Sequence, residues 1–425
     1  MIKEKKEGFC LEKMSGTWLI VAGTVVMVLI TFRNLLASSV VLFSTDNNIG
    51  AESLLKAVIP DSFIGGWNDS ELLGSGGILP VAWSYVLLWL SPLRMYMNWI
   101  HALDLALGSL FLVYFLRQRM LGWGAAALAG LGSFWVGSNM TLVYSGHNGK
   151  FAVMMLAAVA LWLIERAVQT KSWQLSVLIG GVVGLAFNEQ PDFALFVCLF
   201  VGAYYLFALI REEGVNYKSF ARLFLPCVAV IVLVAGPGAI GSYFSFVKGV
   251  VAVSEEDPQA KWEFCTQWSL PSDETIDLIA PGYMGLRSGE PEGPYWGRTG
   301  RSAGWERTHQ GFMNFRLDSI YIGAIPIILA LFAILAALLG RSESQFFDVK
   351  KRRYDVFFWG TVFIISLLLS YGKYFPLYGL FYQLPMMSNI RNPIKFIVVF
   401  QVAVGILAAY GLDYAIKKSD EKGTN

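Results

Sequence analysis

The chain has few charged residues, few histidines and few cysteines. Only 15% of its 425 residues are Asp, Glu, Lys or Arg, and it contains three histidines and four cysteines. So few cysteines, scattered among apolar stretches, argue against a disulfide framework. The net charge of +2 and the lack of a basic strip interleaved with aromatic residues give no indication of nucleic-acid binding.

Apolar residues dominate the composition instead. They make up 55% of the chain, and the mean hydropathy is +0.53. Because about 20 consecutive apolar residues cross a bilayer core of roughly 30 Å, several stretches are long enough to span a membrane. We therefore predict an all-α, polytopic transmembrane protein with about ten spans that form a single domain over residues 1–425. The predicted spans are residues 17–37, 97–117, 121–144, 150–167, 173–189, 192–211, 220–246, 318–340, 354–371 and 393–416.

Lysine and arginine are distributed unevenly over the loops that these spans define. Most of them fall in the two terminal segments and in every second short loop. The positive-inside rule then predicts a multi-pass protein of the cytoplasmic membrane with both termini in the cytoplasm. Two long loops, residues 38–96 and 248–317, are predicted outside. The first of them contains an apolar piece, residues 80–91, that is too short to cross and indicates an interfacial or re-entrant helix.

One tight turn, residues 145–150 (SGHNGK), separates two apolar runs on the predicted outer face. Its two glycines permit a close backbone approach, and His147 and Lys150 stand beside exposed backbone N–H groups. This combination indicates a phosphate site. The alternative is a plain turn between helices in which Lys150 extends to the membrane surface.

Two acidic positions lie on the same predicted face. Asp46 follows the first span, where a carboxylate suits a general base or a ligand of a divalent cation, but it equally suits an Asx-turn or a helix cap. Glu189 lies in the turn 188–192 (NEQPD) between two spans. There it either binds a polar substrate or caps a helix.

Three further positions belong to polar segments near the predicted outer surface. Gln267 and Glu274 lie in a stretch where aromatic rings alternate with polar groups, which is typical of sugar recognition and also of a membrane-interface belt. Arg391 precedes the last span, where it suits a lipid phosphate or ordinary headgroup anchoring. His101 and Asp104 stand one turn apart in a span, as a functional ionisable pair or as partners of each other. No spacing of His, Cys, Asp or Glu predicts a metal site.

The order of these motifs resembles that of a known family. The turn 146–150, the turn 188–192, the stretch 266–285 and the approach to the last span at 385–391 resemble motifs of the YfhO-type bacterial multi-span membrane proteins. The resemblance covers about residues 40 to 415. That family is similar to the GT-C class of membrane glycosyltransferases.

This resemblance implies an enzyme that transfers a sugar from a polyprenyl-phosphate donor to a cell-envelope acceptor outside the cytoplasmic membrane. It implies that Asp46, the acid of the first outer loop, is the catalytic base. Lys150 and Arg391, with His147, would bind the lipid phosphate. The substrate-orienting residues would be Glu189, Gln267 and Glu274. The partners implied are the lipid-linked donor and membrane lipids; a divalent cation is compatible with the class, and no other cofactor is implied.

Two departures from the family leave a different interpretation open. After residues 417–418 the sequence has a short polar tail where many members have an outer soluble domain, and its first outer loop offers the single acid Asp46 where many relatives have two. The alternative is therefore a non-catalytic, GT-C-like structural subunit of a larger membrane assembly with partner membrane subunits. A transporter or flippase ranks last, because it predicts more ionisable residues at the bilayer midplane.

Overall fold

The computed structural model describes residues 2–37, 39–44, 46–68, 75–242, 257–285, 295–301, 319–339, 345–385 and 387–423. Within these residues nearly all regular structure is α-helical. The helices are α1 (Ile2–Thr31), α2 (Ile49–Val58), α3 (Trp83–Leu90), α4 (Leu93–Gln118), α5 (Trp123–Phe134), α6 (Gly137–Ser145), α7 (Asn148–Thr170), α8 (Trp173–Glu189), α9 (Pro191–Glu213), α10 (Tyr217–Ser242), α11 (Pro258–Thr266), α12 (Ala324–Leu339), α13 (Gln345–Asp348), α14 (Arg352–Ser370), α15 (Pro376–Tyr382) and α16 (Phe396–Gly423).

Short elements connect the helices. A two-stranded antiparallel hairpin of β1 (Gly66–Asn68) and β2 (Ser75–Gly77) lies in the first long loop. The 3-10 turns are Arg33–Leu36, Asp61–Phe63, Ser272–Leu278, Val349–Lys351, Gly372–Tyr374, Met387–Asn389 and Pro393–Lys395.

The all-α, membrane-embedded character predicted from the sequence is confirmed in its coarse form. Six helices of the described residues are long and apolar enough to cross a membrane: α4, α7, α9, α10, α14 and α16. Shorter apolar segments stand at two further predicted spans, Gly16–Thr31 in α1 and Ala324–Leu339. Every predicted span thus contains a helix, but the number of helices that cross is a prediction. The short apolar piece 80–91 is helical as α3, and α2 is a second short helix of the first long loop.

The predicted span 121–144 is broken, where the sequence indicated one continuous helix. α5 and α6 are bent by 44° at Trp135 and Val136, and together they make a possible seventh crossing. The break is stabilised because the amide of Asn139 donates to the freed carbonyl of Phe134 at 2.8 Å. The indole of Trp135 donates to Ser109 on α4 at 3.1 Å. Asn139 thus satisfies a backbone carbonyl that the bend exposes, and the contact of Trp135 with Ser109 connects the bend to α4.

Two helices form the centre of the bundle. α7 packs against α4, α8 and α9, and α16 packs against α5, α12 and α14. The apolar segment of α16 is 94% buried and that of α7 is 78% buried, whereas that of α10 is only 17% buried. α7 and α16 are therefore the interior of the fold, and α10 lies at its periphery.

The helices bring polar residues together at two opposite ends of the bundle. One end carries the starts of α4, α7, α9 and α16, residues 44, 46 and 47 and the segment 265–270, and we call it the loop end. The other carries the end of α4 and the start of α14, with the side chains of Arg119, Arg211 and Arg352, and we call it the arginine end. The division agrees with the predicted alternation of the spans. Which side of a membrane each end faces stays a prediction.

Candidate functional site

The turn 145–150 is shaped by its first glycine and by a segment that packs on it. Gly146 ends α6 with a φ of +81°, a left-handed conformation that glycine adopts without strain. A Cβ on Gly146 would lie 2.3 Å from the hydroxyl oxygen of Ser44. The N–H of Asp46 donates to the carbonyl of Ser145 at 3.1 Å. The turn is therefore the surface on which the first long loop is anchored to the bundle.

This packing places Asp46 beside His147. The carboxylate oxygen Oδ2 of Asp46 lies 3.7 Å from Nε2 of His147, and the two side chains are 34% and 20% exposed. A carboxylate beside an imidazole, both within reach of solvent, is an arrangement that accepts a proton from a bound hydroxyl. Asp46 and His147 were predicted separately from distant stretches of sequence, and the fold makes them neighbours.

Lys150 belongs to a second group of charges where three helices begin. Asp192, in the first turn of α9, forms an ion pair with Lys395, which directly precedes α16. The other carboxylate oxygen of Asp192 accepts from the N–H of Phe193 at 2.7 Å. Lys150, in the first turn of α7, lies within electrostatic range of the same carboxylate. Two ammonium groups and three helix N-termini thus give this place a positive potential around Asp192.

An apolar cavity of about 40 Å³ lies deeper between the same helices. Its wall includes Met154 of α7, Val197 of α9 and Val398 of α16, each between three and five residues beyond the charged residue at the start of its helix. Neighbouring helices add further apolar side chains to the wall, among them Leu112, Phe134 and Trp359. On each of these three helices the charged residue at the start therefore lies about one turn from the apolar space.

Glu189 lies close to this group, but its carboxylate is used within the fold. Its two oxygens accept from the backbone N–H and the hydroxyl of Ser84, both at 2.7 Å. Ser84 is in the first turn of α3, which has no cap from its own N-cap residue Ala82. Glu189 thus caps a short helix of another segment. The sequence indicated a cap as one alternative, without its partner. Its predicted role toward a substrate stays a prediction.

Gln267, Glu274 and Arg391 lie in the segments that cover the loop end. The amide of Gln267 donates to the carbonyl of Gly300 at 3.3 Å. Arg391 is exposed, and its guanidinium stands 5.2 Å from the centre of the Phe264 ring. The segments of these two residues meet where Ile394 N–H donates to the carbonyl of Trp268 at 3.0 Å. Gln267 and Arg391 therefore border the group of charges that Lys150, Asp192 and Lys395 form.

Glu274 connects two parts of the second long loop through buried hydrogen bonds. It is fully buried, and its carboxylate accepts from the Tyr295 hydroxyl at 2.7 Å, from the Thr299 hydroxyl at 2.7 Å and from two backbone N–H groups. A carboxylate with so many internal donors is already satisfied. The geometry therefore gives Glu274 a structural contact, and a contact with a substrate stays a prediction.

Sequence reasoning missed several residues that the fold brings to the loop end. Lys395 was not singled out, although its position between Pro393 and an apolar run marks a helix start. Glu52 of α2 was not singled out, yet its side chain is buried. His101 and Asp104 are both buried, and they do not bond to each other, because neither ring nitrogen of His101 has a hydrogen-bond partner among the described residues. Within the described ranges, no three His, Cys, Asp or Glu side chains are arranged to hold a metal ion.

The arginine end contains a ring of ion pairs instead of solvated charges. Arg119 pairs with Glu165 at 3.3 Å and with Asp355 at 2.7 Å, and Arg211 pairs with Glu165 at 2.7 Å and with Asp355 at 2.5 Å. All four side chains are 0 or 1% exposed. The positive-inside rule counts Arg119 and Arg211 only as basic residues near span ends, and their burial and pairing are visible only in the fold. Their position was near a predicted span end, but their partners come from α7 and α14.

The chain was also compared with known proteins. No family model and no curated protein sequence matches it.

Proposed function

We propose that this protein is a membrane glycosyltransferase of the GT-C type that moves a sugar from a polyprenyl-phosphate donor to a cell-envelope acceptor. In this proposal the chain lies in the cytoplasmic membrane with both termini in the cytoplasm. The loop end then faces outward, and the donor enters from the outer leaflet.

The observation that carries the proposal is the position of two lysines above an apolar cavity. Lys150 and Lys395 stand at the starts of α7 and α16, and the next turns of both helices line the cavity. A polyprenyl phosphate has the same order, with a charged group on an apolar chain. The helix N-termini add favourable potential for the phosphate.

The chemistry of transfer would need one base and a place for the leaving phosphate. Asp46 would take the proton from the acceptor hydroxyl while that oxygen forms a bond to the anomeric carbon of the sugar. The bond between this carbon and the phosphate oxygen breaks, and the phosphate leaves with the electron pair. Lys150 and Lys395, with Arg391 at the rim, would offset its charge. His147 is close enough to Asp46 to orient it.

Transfer by the purified full chain tests the role of Asp46. The protein in lipid nanodiscs is mixed with polyprenyl-phosphate donors that carry different labelled sugars and with a cell-envelope extract as acceptor. Asp46→Asn should abolish transfer, because an amide does not take the proton. Asp61→Asn, which changes an exposed carboxylate of the same loop, should leave transfer unchanged. Full transfer by Asp46→Asn would overturn the assignment of the base.

Binding of polyprenyl phosphate, measured by native mass spectrometry, tests the donor site without any transfer. The double variant Lys150→Met, Lys395→Met should lose most of the bound lipid, and Lys218→Met, an exposed lysine of the arginine end, should retain it. Failure of the wild-type chain to bind the lipid or to transfer any sugar, together with stable copurification of other membrane proteins, would favour the non-catalytic subunit.

A further inference from the structure

A group of polar side chains, all buried except the half-buried Asn148, lies beside the candidate site, where α2 and α3 cover the start of α4. It consists of Glu52, Tyr96, His101, Asp104 and Asn148, and we call it the α4 polar cluster. Four of them are 5, 4, 3 and 1% exposed, in the order Glu52, Tyr96, His101 and Asp104. The proposed transfer uses none of these side chains.

The fold itself provides only some of the hydrogen bonds that this cluster requires. The indole of Trp83 donates to one oxygen of Asp104 at 2.9 Å, and the amide of Asn148 donates to the Tyr96 hydroxyl at 3.3 Å. The imidazole of His101 packs edge-on against the Phe151 ring at 4.9 Å. The Asn148 amide lies beside this imidazole without completing a hydrogen bond to it.

Five polar atoms of the cluster are buried without a hydrogen-bond partner in the described part of the chain. They are Oε2 of Glu52, both ring nitrogens of His101, Oδ2 of Asp104 and Oδ1 of Asn148. A buried polar atom that makes no hydrogen bond costs roughly 1–3 kcal/mol, so such atoms are rare and seldom occur in groups. The arrangement of five within one cluster therefore points to a ligand that supplies the missing bonds.

The chemistry of the five atoms limits what this ligand is. The carboxylate oxygens of Glu52 and Asp104, when ionised, and the amide oxygen of Asn148 can only accept hydrogen bonds. The neutral imidazole of His101 adds one acceptor and one donor. The acids and His101 do not converge as three ligands of one metal ion in the ranges that the structure describes. Water both donates and accepts, and buried water typically makes about three hydrogen bonds to such groups.

We propose that the α4 polar cluster binds a chain of ordered water molecules that connects Asp104, inside the bundle, with the solvent at the loop end. The exit lies beside Asn148, next to His147, whose side chain is 20% exposed. Protons then exchange between the solvent and the side chains of His101 and Asp104. Each hop breaks one O–H or N–H bond and forms the next, so no other reactant is needed. Ionisable residues inside a membrane protein mark functional sites, and access to water gives these two a route for proton transfer.

The titratable groups near this water chain come from several of the elements packed around it, including His147 at the start of α7. α2 contributes Glu52 and Lys56, α3 contributes Tyr85, and α8 contributes Glu189. The ammonium group of Lys56 donates hydrogen bonds to the carbonyls of Leu88, Trp89 and Ser91 at the end of α3. Burial, with Glu189 and Glu52 nearby, raises the pKa of Tyr85 to about 12, so its hydroxyl stays a proton donor at neutral pH.

Radiolytic hydroxyl labelling of the full chain in nanodiscs tests the proposal, because bound water yields radicals where bulk solvent does not reach. Tyr96 and His101 should be labelled although they are buried. The matched controls are Tyr204 and Tyr410 of the arginine end, equally buried, whose hydroxyls donate to Glu165 and Asp355. They should stay unlabelled. Rapid mixing with oxygen-18 water before the pulse should place the heavy isotope in the Tyr96 product.

Two substitutions separate water binding from a general change in packing. Asp104→Asn keeps polar atoms in place and should retain the labelling of His101, whereas Asp104→Leu should lose it. If Asp104→Leu does not fold, the wild-type comparison alone decides. Absence of label on both Tyr96 and His101, or equal label on Tyr204, overturns the proposal. The result does not depend on sugar transfer, because no donor is present.

Discussion

The ion-pair ring at the arginine end and the α4 polar cluster at the loop end bury charged side chains in opposite ways. At the arginine end, Arg119 and Arg211 each contact both Glu165 and Asp355, and the four charges balance. At the loop end, the α4 polar cluster holds acids that have no ionic partner among the described residues. A fully paired ring fixes the positions of the helices that it joins. An unsatisfied cluster retains capacity for a ligand, and the same end contains the candidate site. The contrast is between buried charges that the fold itself pairs and buried acids that it leaves without an ionic partner in the part of the chain that the structure describes.

The largest effect should follow from opening the arginine ring. Arg211→Met leaves Glu165 and Asp355 with one arginine between them in a site without solvent. Loss of one partner of a buried ion pair costs about 3–5 kcal/mol. We expect that loss in the free energy of unfolding, measured by denaturant in detergent. Arg166→Met, an exposed arginine of the same end, should change it by less than about 0.5 kcal/mol. Equal losses for both variants would contradict the ring as a structural element.

An intermediate effect should come from the turn at the loop end. Gly146→Ala forces a left-handed residue with a side chain, which costs roughly 1–2 kcal/mol, and its Cβ would collide with Ser44. Because Ser44 precedes Asp46 by two residues, we expect reduced sugar transfer as well as a lower melting temperature. The matched control is Gly124→Ala in α5, where a Cβ would meet no atom within 4 Å. A variant of Gly146 with the stability and transfer of the wild type would show that the turn does not anchor the loop.

The sequence was informative about helices and less so about their polar contacts. Apolar runs located a helix at every predicted span, because length and hydropathy are local properties. The break at Trp135 was not predictable, since its stabilising contacts come from Asn139 and from Ser109 on another helix. The capping role of Glu189 was foreseen as one of two alternatives, but Ser84 is more than a hundred residues away and no spacing indicates it.

The same limit applies to the charges. A basic residue near a span end gives the same pattern in the sequence whether it is solvated, like Arg166, or buried, like Arg211. Only the partners from distant helices distinguish them. Lys395 and Asp192 illustrate this at the loop end. Lys395 directly precedes α16 and Asp192 lies on α9, and nothing in the sequence indicates that they form an ion pair. The sequence therefore predicts which residues reach an end of the bundle, and the fold decides which of them meet.

The smallest effect, and the one that separates the two ends most finely, should come from Glu52. Burial raises the pKa of this carboxyl, and a hydrogen bond from Asn47 only partly opposes the shift. Between the ordinary pKa and the raised folded one, the folded chain binds more protons than the unfolded chain. The wild type therefore loses stability as the pH rises through that window. Glu52→Gln removes the ionisation but keeps the shape and a polar side chain.

We expect Glu52→Gln to match the wild type at pH 4 and to melt at a higher temperature at pH 7, by an amount equivalent to up to about 1 kcal/mol. Thermal unfolding in detergent across this range measures the difference. Asp61→Asn supplies the control for a change in net charge, since Asp61 is an exposed acid of the same loop. At the arginine end the sign should be reversed, because Glu165→Gln removes a charge that two arginines require. A Glu52→Gln chain that is less stable than the wild type at pH 7 would mean that this carboxylate has an ionic partner after all, and the contrast between the two ends would fail.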